Sequence, residues 1–124
     1  MSAALDTQLQ KATNEYRKIE TDLSNAVEAR QRLDIQLTEN EQEFKSLTSQ
    51  NEVFKLIGPV LVKQDQSEAK SNVEKRLEYI RNEISRVEAQ LKDLNAKQEK
   101  KRLEVVHLQG QMESQQQPDG AIAA

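Results

Sequence analysis

Two long runs of heptad-spaced apolar residues flank a short β-branched island, and no other feature of this chain narrows its fold so far. Before the island, Leu5, Leu9, Ala12, Tyr16, Ile19, Leu23, Ala26, Leu33, Leu37, Phe44 and Leu47 follow alternating steps of four and three, with Arg30 and Asn40 in the two seam positions that are not apolar. After it, Val73, Leu77, Ile80, Ile84, Val87, Leu91, Leu94, Val105, Leu108 and Met112 repeat the pattern, interrupted by Gln98 and Lys101. A 3.5-residue repeat held over many turns marks coiled-coil packing rather than the wider stripe of a globular helix. Neither run contains a Pro or Gly before Gly110, so the backbone imposes no break.

The spacing predicts one helix over 3–51 and a second over 66–113, each roughly 70 Å long at about 1.5 Å per residue. A seam left without a partner would keep every large side chain in water, at about 1.5 to 3 kcal/mol each, and the nearest partner is the other arm of the same chain. The expected fold is therefore mostly α: an antiparallel two-helix coiled-coil hairpin with one short β-hairpin, 52–64, at the joint.

Composition limits the functions such a chain can have. Over 124 residues, 31% are charged and only 3% aromatic, which gives length for one domain but too little bulky apolar content for a globule with a deep pocket. Catalysis in a buried cleft is not expected, and the chain is read as no enzyme, with no cofactor and no metal site. The 21 acidic and 18 basic residues alternate along the helices instead of clustering, which argues against nucleic acid as a main partner. Without cysteine there are no disulfides or thiolate metal sites, which suits a reducing compartment. No run of about 18 apolar residues occurs, and the N-terminus lacks the basic and apolar regions of a signal peptide, so the expectation is a cytoplasmic protein with no membrane partner.

The island runs from Val53 to Lys63. With Gly58 and Pro59 at its tip, Phe54, Leu56, Val60 and Val62 are expected on one face, and Val53, Ile57 and Leu61 on the other with Lys55 and Lys63. Gly58 can take a positive φ, and Pro59 has a fixed φ and no donor, so the pair ends one strand and turns the chain. A lone two-stranded hairpin is marginal in water and its outer edges present unpaired N–H and C=O groups. Those edges call for strands from other chains; the alternative is a hydrophobic loop that caps its own helices.

Directly after the island, Asp65-Gln66-Ser67-Glu68 reads as a capping box, in which Asp65 accepts from the first helical amides and Glu68 reaches back to the cap. Two carboxylates three residues apart at a helix start are a structural signal, not a metal or acid–base pair. At the far end, residues 115–124 lack periodicity and bulk and are expected to form a disordered tail.

The stretch Asn51-Glu52-Val53-Phe54-Lys55-Leu56-Ile57-Gly58-Pro59-Val60-Leu61-Val62-Lys63-Gln64-Asp65, followed by Glu68-Ala69, Asn72-Val73 and Lys75-Arg76-Leu77-Glu78-Tyr79-Ile80, closely resembles the β-type subunits of prefoldin. The resemblance is specific at the joint and the start of the second helix, and holds by pattern elsewhere; Phe54 stands where many relatives have a tyrosine. It implies a β-type domain over 1–114, with one hairpin where α-type subunits have two. It further implies an ATP-independent holdase subunit of a heterohexamer of α-type and β-type subunits, whose hairpins join into a double β-barrel platform carrying six coiled-coil arms. Such complexes capture unfolded clients such as actin and tubulin and deliver them to the cytosolic chaperonin. Consistent with that, the three glycines, Gly58, Gly110 and Gly120, are isolated and form no phosphate loop.

Assembly is then expected to rest on Val53, Phe54, Leu56, Ile57, Gly58, Pro59, Val60, Leu61 and Val62. Client contact is expected at the distal tips, where Leu5, Leu9 and Ala12 should lie near Val105, Leu108 and Met112 while Gln98 and Lys101 loosen the seam beside them. Val106 falls off the seam and should be exposed even in a tight coil, and Met112 is a flexible side chain suited to varied surfaces; the competing reading makes the seam positions ordinary coiled-coil core. Folding about Gly58 and Pro59 should bring Arg30 near Glu88 as an ion pair. Ile35 reads as a singly exposed side chain, His107 as a surface imidazole, Tyr16 as a seam residue and Tyr79 as an outer-face one. A passive coiled-coil scaffold or tether would explain the heptads without the island.

Overall fold

In a computed structural model, which describes residues 2–48 and 52–116, the order of elements is helix α1 (Ser2–Ser46), strand β1 (Val53–Ile57), strand β2 (Val60–Gln64) and helix α2 (Gln66–Gln116). The chain divides into two compact units: one takes α1 up to Val27 together with α2 from Gln90, and the other is Glu28–Ala89, which holds the β-hairpin.

Helix α1 ends at Ser46, five residues before the expected 51. In its last turn Ser46 Oγ donates to the Glu43 carbonyl at 2.7 Å. The Leu47 N–H then bonds to Phe44 O at 3.2 Å, a tightened last turn, and the Thr48 N–H to Ser46 O at 3.1 Å. Asn51, the expected helix end, lies outside the described residues. Helix α2 runs three residues past the expected 113 and takes in Gln115 and Gln116, which the sequence reading assigned to a tail; the rest of that tail, 117–124, lies outside the described residues. Gly110 does not end α2. A single glycine inside a helix costs only about 1 kcal/mol relative to alanine.

The start of α2 carries half of the expected capping box. Asp65 Oδ1 accepts from the Ser67 N–H at 3.4 Å and Asp65 Oδ2 from the Ser67 hydroxyl at 2.9 Å, while Asp65 O closes the first turn with the Ala69 N–H at 3.0 Å. The return bond from Glu68 to the Asp65 N–H is not among the hydrogen bonds of the described residues. Glu68, in the first turn of α2, is placed to complement the helix dipole.

The hairpin pairs Val53 with Gln64, Phe54 with Lys63, Lys55 with Val62, Leu56 with Leu61 and Ile57 with Val60. Directly opposed residues share a face, so this register corrects the expected one: Phe54, Leu56, Leu61 and Lys63 form one face, and Val53, Lys55, Ile57, Val60, Val62 and Gln64 the other. A two-residue loop makes opposed residue numbers sum to an odd value, so faces exchange parity across the turn. Gly58 has a φ of +59°, as the first central position of a type II′ hairpin turn requires, and Pro59 follows it without needing a donor.

In the unit Glu28–Ala89, the buried seam is carried by α2: Ala69, Val73, Leu77, Ile80, Ile84 and Val87 are all buried, with Val73 at 2% exposure. Their counterparts Leu33, Leu37, Phe44 and Leu47 are half-buried. Asn40 sits among them with its side-chain amide donating to Gln36 O at 2.7 Å and its Oδ1 enclosed without a partner. In the other unit, Leu5, Ala12 and Leu108 form a buried cluster with Leu9, Val105 and Met112 packed against it, and Ala26 and Leu94 are also buried. Within each unit α1 and α2 are antiparallel, since partners with rising numbers on α1 have falling numbers on α2: Arg30 with Glu88 and Glu43 with Arg76 in one, Glu15 with Lys101 and Leu5 and Ala12 with Leu108 in the other.

Candidate functional site

Among the described residues, exposed large hydrophobic side chains concentrate on the β-hairpin. Both of its faces are open: Phe54, Leu56 and Leu61 on one, Ile57, Val60 and Val62 on the other are exposed, Leu56 and Leu61 to 67% and 66%. Only Val53 and Gln64, the pair nearest the helices, are half-buried. The positions expected for assembly therefore stand together on ten strand residues and a tight turn, held by one ladder. Lys63 Nζ comes within 3.7 Å of Glu52 Oε1 at the base, an exposed pair that adds little. A two-stranded ladder with apolar groups on both sides and unpaired outer edges can gain by strand addition at its edges and by cover on its faces.

The residues expected at the tips are distributed differently from one another. Leu5 and Leu108 are buried against Ala12, and Leu9, Val105 and Met112 are partly buried around them, so these six are seam packing in the conformation described. Val106 is exposed, as its off-seam position requires. Leu103, which is also off the heptad, is exposed three residues earlier on α2. The signal was present: a leucine that misses the heptad at i, i+3 from a valine that also misses it marks a second, outward stripe.

The seam is not loosened at Lys101. Its Nζ donates to Glu15 Oε2 at 2.6 Å across the two helices and to Glu104 Oε2 at 2.8 Å along its own, with the side chain only 19% exposed. The Lys101 pKa is raised by these bonds, that to Glu104 first, and the Glu15 carboxyl is held below its ordinary value chiefly by the hydrogen bond from Lys101. Arg30 has the same arrangement in the other unit, with Nη2 donating to Glu88 Oε1 at 2.9 Å across the helices and Nη1 paired with Asp34 on its own. The expected Arg30–Glu88 pair is thus formed, and Arg76 adds a further cross-helix bond to Glu43 at 2.8 Å.

No group of three or more His, Cys, Asp or Glu among the described residues is placed to hold a metal ion. His107 is exposed on α2 and its Nε2 meets the Gln111 amide at 3.1 Å. Tyr79 is exposed and Tyr16 half-buried in the seam, as their heptad positions require. No helix among the described residues is long and apolar enough to cross a membrane.

The geometry has relatives. Residues 10–112 match the family model described as prefoldin subunit. The chain is 42% identical to prefoldin subunit 6 of Mus musculus over 94% of this chain and 94% of that one, and 43% identical to prefoldin subunit 6 of Arabidopsis thaliana over 89% and 88%. Prefoldin subunit 6 of Saccharomyces cerevisiae is 42% identical over 75% of this chain and 84% of its own. Among solved structures, the prefoldin beta subunit from Thermococcus strain KS-1 superposes with a TM-score of 0.64 over 90% of this chain and 94% of that one, at 24% identity, a likeness of fold. With identity of this extent, and with two antiparallel helices joined through one β-hairpin, the chain belongs to the prefoldin subunit family and is similar to its subunit 6.

Proposed function

We propose that this chain is one β-type subunit of a heterohexameric, ATP-independent holdase that works in the cytoplasm, captures unfolded chains such as actin and tubulin, and delivers them to the cytosolic chaperonin. The observation that carries the reading is the uncovered hairpin, apolar on both faces, in a chain whose relatives of matching length are prefoldin subunits. The hairpin supplies the joint to α-type and β-type partners: its edges take neighbouring strands and Ile57, Val60 and Val62 fill the interior of the shared barrel. The paired helices supply one arm. Client contact falls to the distal end of the arm, at Val106 and Met112 on α2 with Leu5, Leu9, Val105 and Leu108 behind them. Capture there needs no nucleotide, because apolar contact with an unfolded segment releases on transfer to a stronger binder rather than on chemical work.

Co-expression with the other subunits followed by native mass spectrometry tests the assembly. A mixed hexamer containing one copy of this chain supports it; a homodimer that ignores the partners would instead support a coiled-coil tether. The hexamer, without ATP, should then keep denatured actin from aggregating.

A further inference from the structure

The apolar seam by itself does not say which helix should pair with which. Leu5, Leu9, Leu23, Leu33 and Leu37 on α1, or Leu77, Ile80, Ile84 and Val87 on α2, would pack against the same residues of a second copy of the chain as well as against each other. In a parallel, in-register pairing of that kind every seam residue faces its own copy. Two seam residues make such a pairing costly. Arg30 would meet Arg30 and Lys101 would meet Lys101, each like-charge contact sitting where the native fold has a cross-helix carboxylate.

The native surroundings of both are built to the same plan. Arg30 is held by Glu88 across the helix pair at 2.9 Å and by Asp34 along α1. Lys101 is held by Glu15 across at 2.6 Å and by Glu104 along α2 at 2.8 Å. One such cation lies on each helix and in each compact unit, with side chains 28% and 19% exposed, partly sheltered from the water that would screen a like charge. We infer that Arg30 and Lys101 are the residues that make α1 and α2 of this chain pair with each other rather than with the same helix of another copy. Asn40 does not share the role, because two facing asparagine side chains hydrogen-bond to each other and would tolerate like-helix pairing. The specificity comes from a contact made repulsive in the wrong complex as much as from the bonds made in the right one.

The test uses the full-length chain. An equal mixture of nitrogen-15-labelled and unlabelled protein is unfolded, refolded together and treated with an amine-reactive cross-linker. Mass spectrometry then reads links between Lys18 and Lys18 and between Lys97 and Lys97 that join one labelled to one unlabelled chain. For the wild type these mixed links should stay at background. The double variant Arg30→Leu with Lys101→Leu adds apolar residues to the seam and leaves Asn40 and Gln98 as its polar positions, so it folds, and its mixed links should rise several-fold. The charge-preserving variant Arg30→Lys with Lys101→Arg should stay at background. Mixed links at the wild-type level in the leucine variant would overturn the inference, since the hairpin turn alone would then enforce self-pairing. Links as abundant in the charge-preserving variant as in the leucine one would overturn it as well, since charge would not be what excludes the second copy.

Discussion

Lys101 Nζ lies 2.6 Å from Glu15 Oε2, closing a contact between residues 86 positions apart in the chain. That hydrogen bond is the main reason the Glu15 carboxyl titrates below its ordinary value. A carboxylate whose folded pKa is depressed stabilises the fold fully above its unfolded pKa and loses that contribution as pH falls through the folded value. Glu83, beside Arg86, and Glu99, beside Arg102, are depressed for the same reason and add in the same direction. The melting temperature should therefore hold steady from neutral pH down to the ordinary carboxylate range and fall below it. In Glu15→Gln the neutral-pH melting temperature should be lower and the acid decline shallower, a comparison that thermal circular dichroism at stepped pH makes directly. An equally steep decline in that variant would show that Glu15 is not one of the groups responsible.

The register of the hairpin divides its side chains into two sets, and lysine substitution distinguishes them. Val60→Lys places an ammonium on the face of Ile57 and Val62, and an unpaired charge enclosed in the proposed barrel would cost several kcal/mol. Incorporation into the hexamer, followed by sedimentation, should fail while helicity survives. Leu61→Lys lies on the opposite face with Phe54 and Leu56 and should reduce incorporation less. The reverse order of severity would turn the hairpin over, with the Phe54 face inside.

Gly58→Ala isolates the turn. A Cβ at this position meets nothing within 4 Å, so the substitution costs only conformational strain at a φ of +59°. That strain is on the order of 1–3 kcal/mol for an L-residue held in a sparsely populated positive-φ conformation. The cost should appear as a lower urea midpoint for dissociation of the assembled complex, with unchanged far-ultraviolet helicity. An unaltered midpoint would mean that the turn relaxes into another conformation without loss.

Removing residues 1–12 together with 105–124 deletes the buried Leu5–Ala12–Leu108 cluster and the exposed Val106 but spares the hairpin. The hexamer should still form, and its suppression of client aggregation should drop. A gentler variant, Leu103→Ser with Val106→Ser, removes exposed apolar surface without touching the seam. In the proposed hexamer one arm of six would change and contacts would be multivalent, so its loss should be only a few-fold. Apolar capture should also resist added salt, whereas attraction to charged faces is screened over about 8 Å at physiological ionic strength. Full protection by the truncated hexamer, or protection abolished by moderate salt, would move client contact elsewhere on the arm.

Heptad positions told the fold in advance because the period of an apolar repeat is a property of residue order alone. From the same order follow the seam burial of Val73, Leu77 and Ile80, the outward Tyr79 and Val106, and the meeting of Arg30 with Glu88 once the turn is fixed at Gly58 and Pro59. What the sequence did not disclose is local competition and pairing arithmetic. Helix α1 stops at Ser46, short of the expected 51, and the Asp65 carboxylate takes the Ser67 hydroxyl as well as its N–H. Val60 and Leu61 exchange faces because opposed residues across a two-residue turn differ in parity. Lys101 looked like a weakness because a polar letter in a seam carries no information about Glu15 waiting on the other helix.

The open hairpin gives this subunit an unusual standing before it is assembled. A copy without partners carries exposed Phe54, Leu56, Ile57, Val60, Leu61 and Val62 on one short element, the sort of surface by which nascent or damaged chains are recognised. On the proposed function, an orphan copy resembles the substrates its complex would hold and would compete with them for capture. Under that proposal, balanced synthesis of all the subunits, or prompt removal of any surplus, would keep the unassembled hairpin from accumulating.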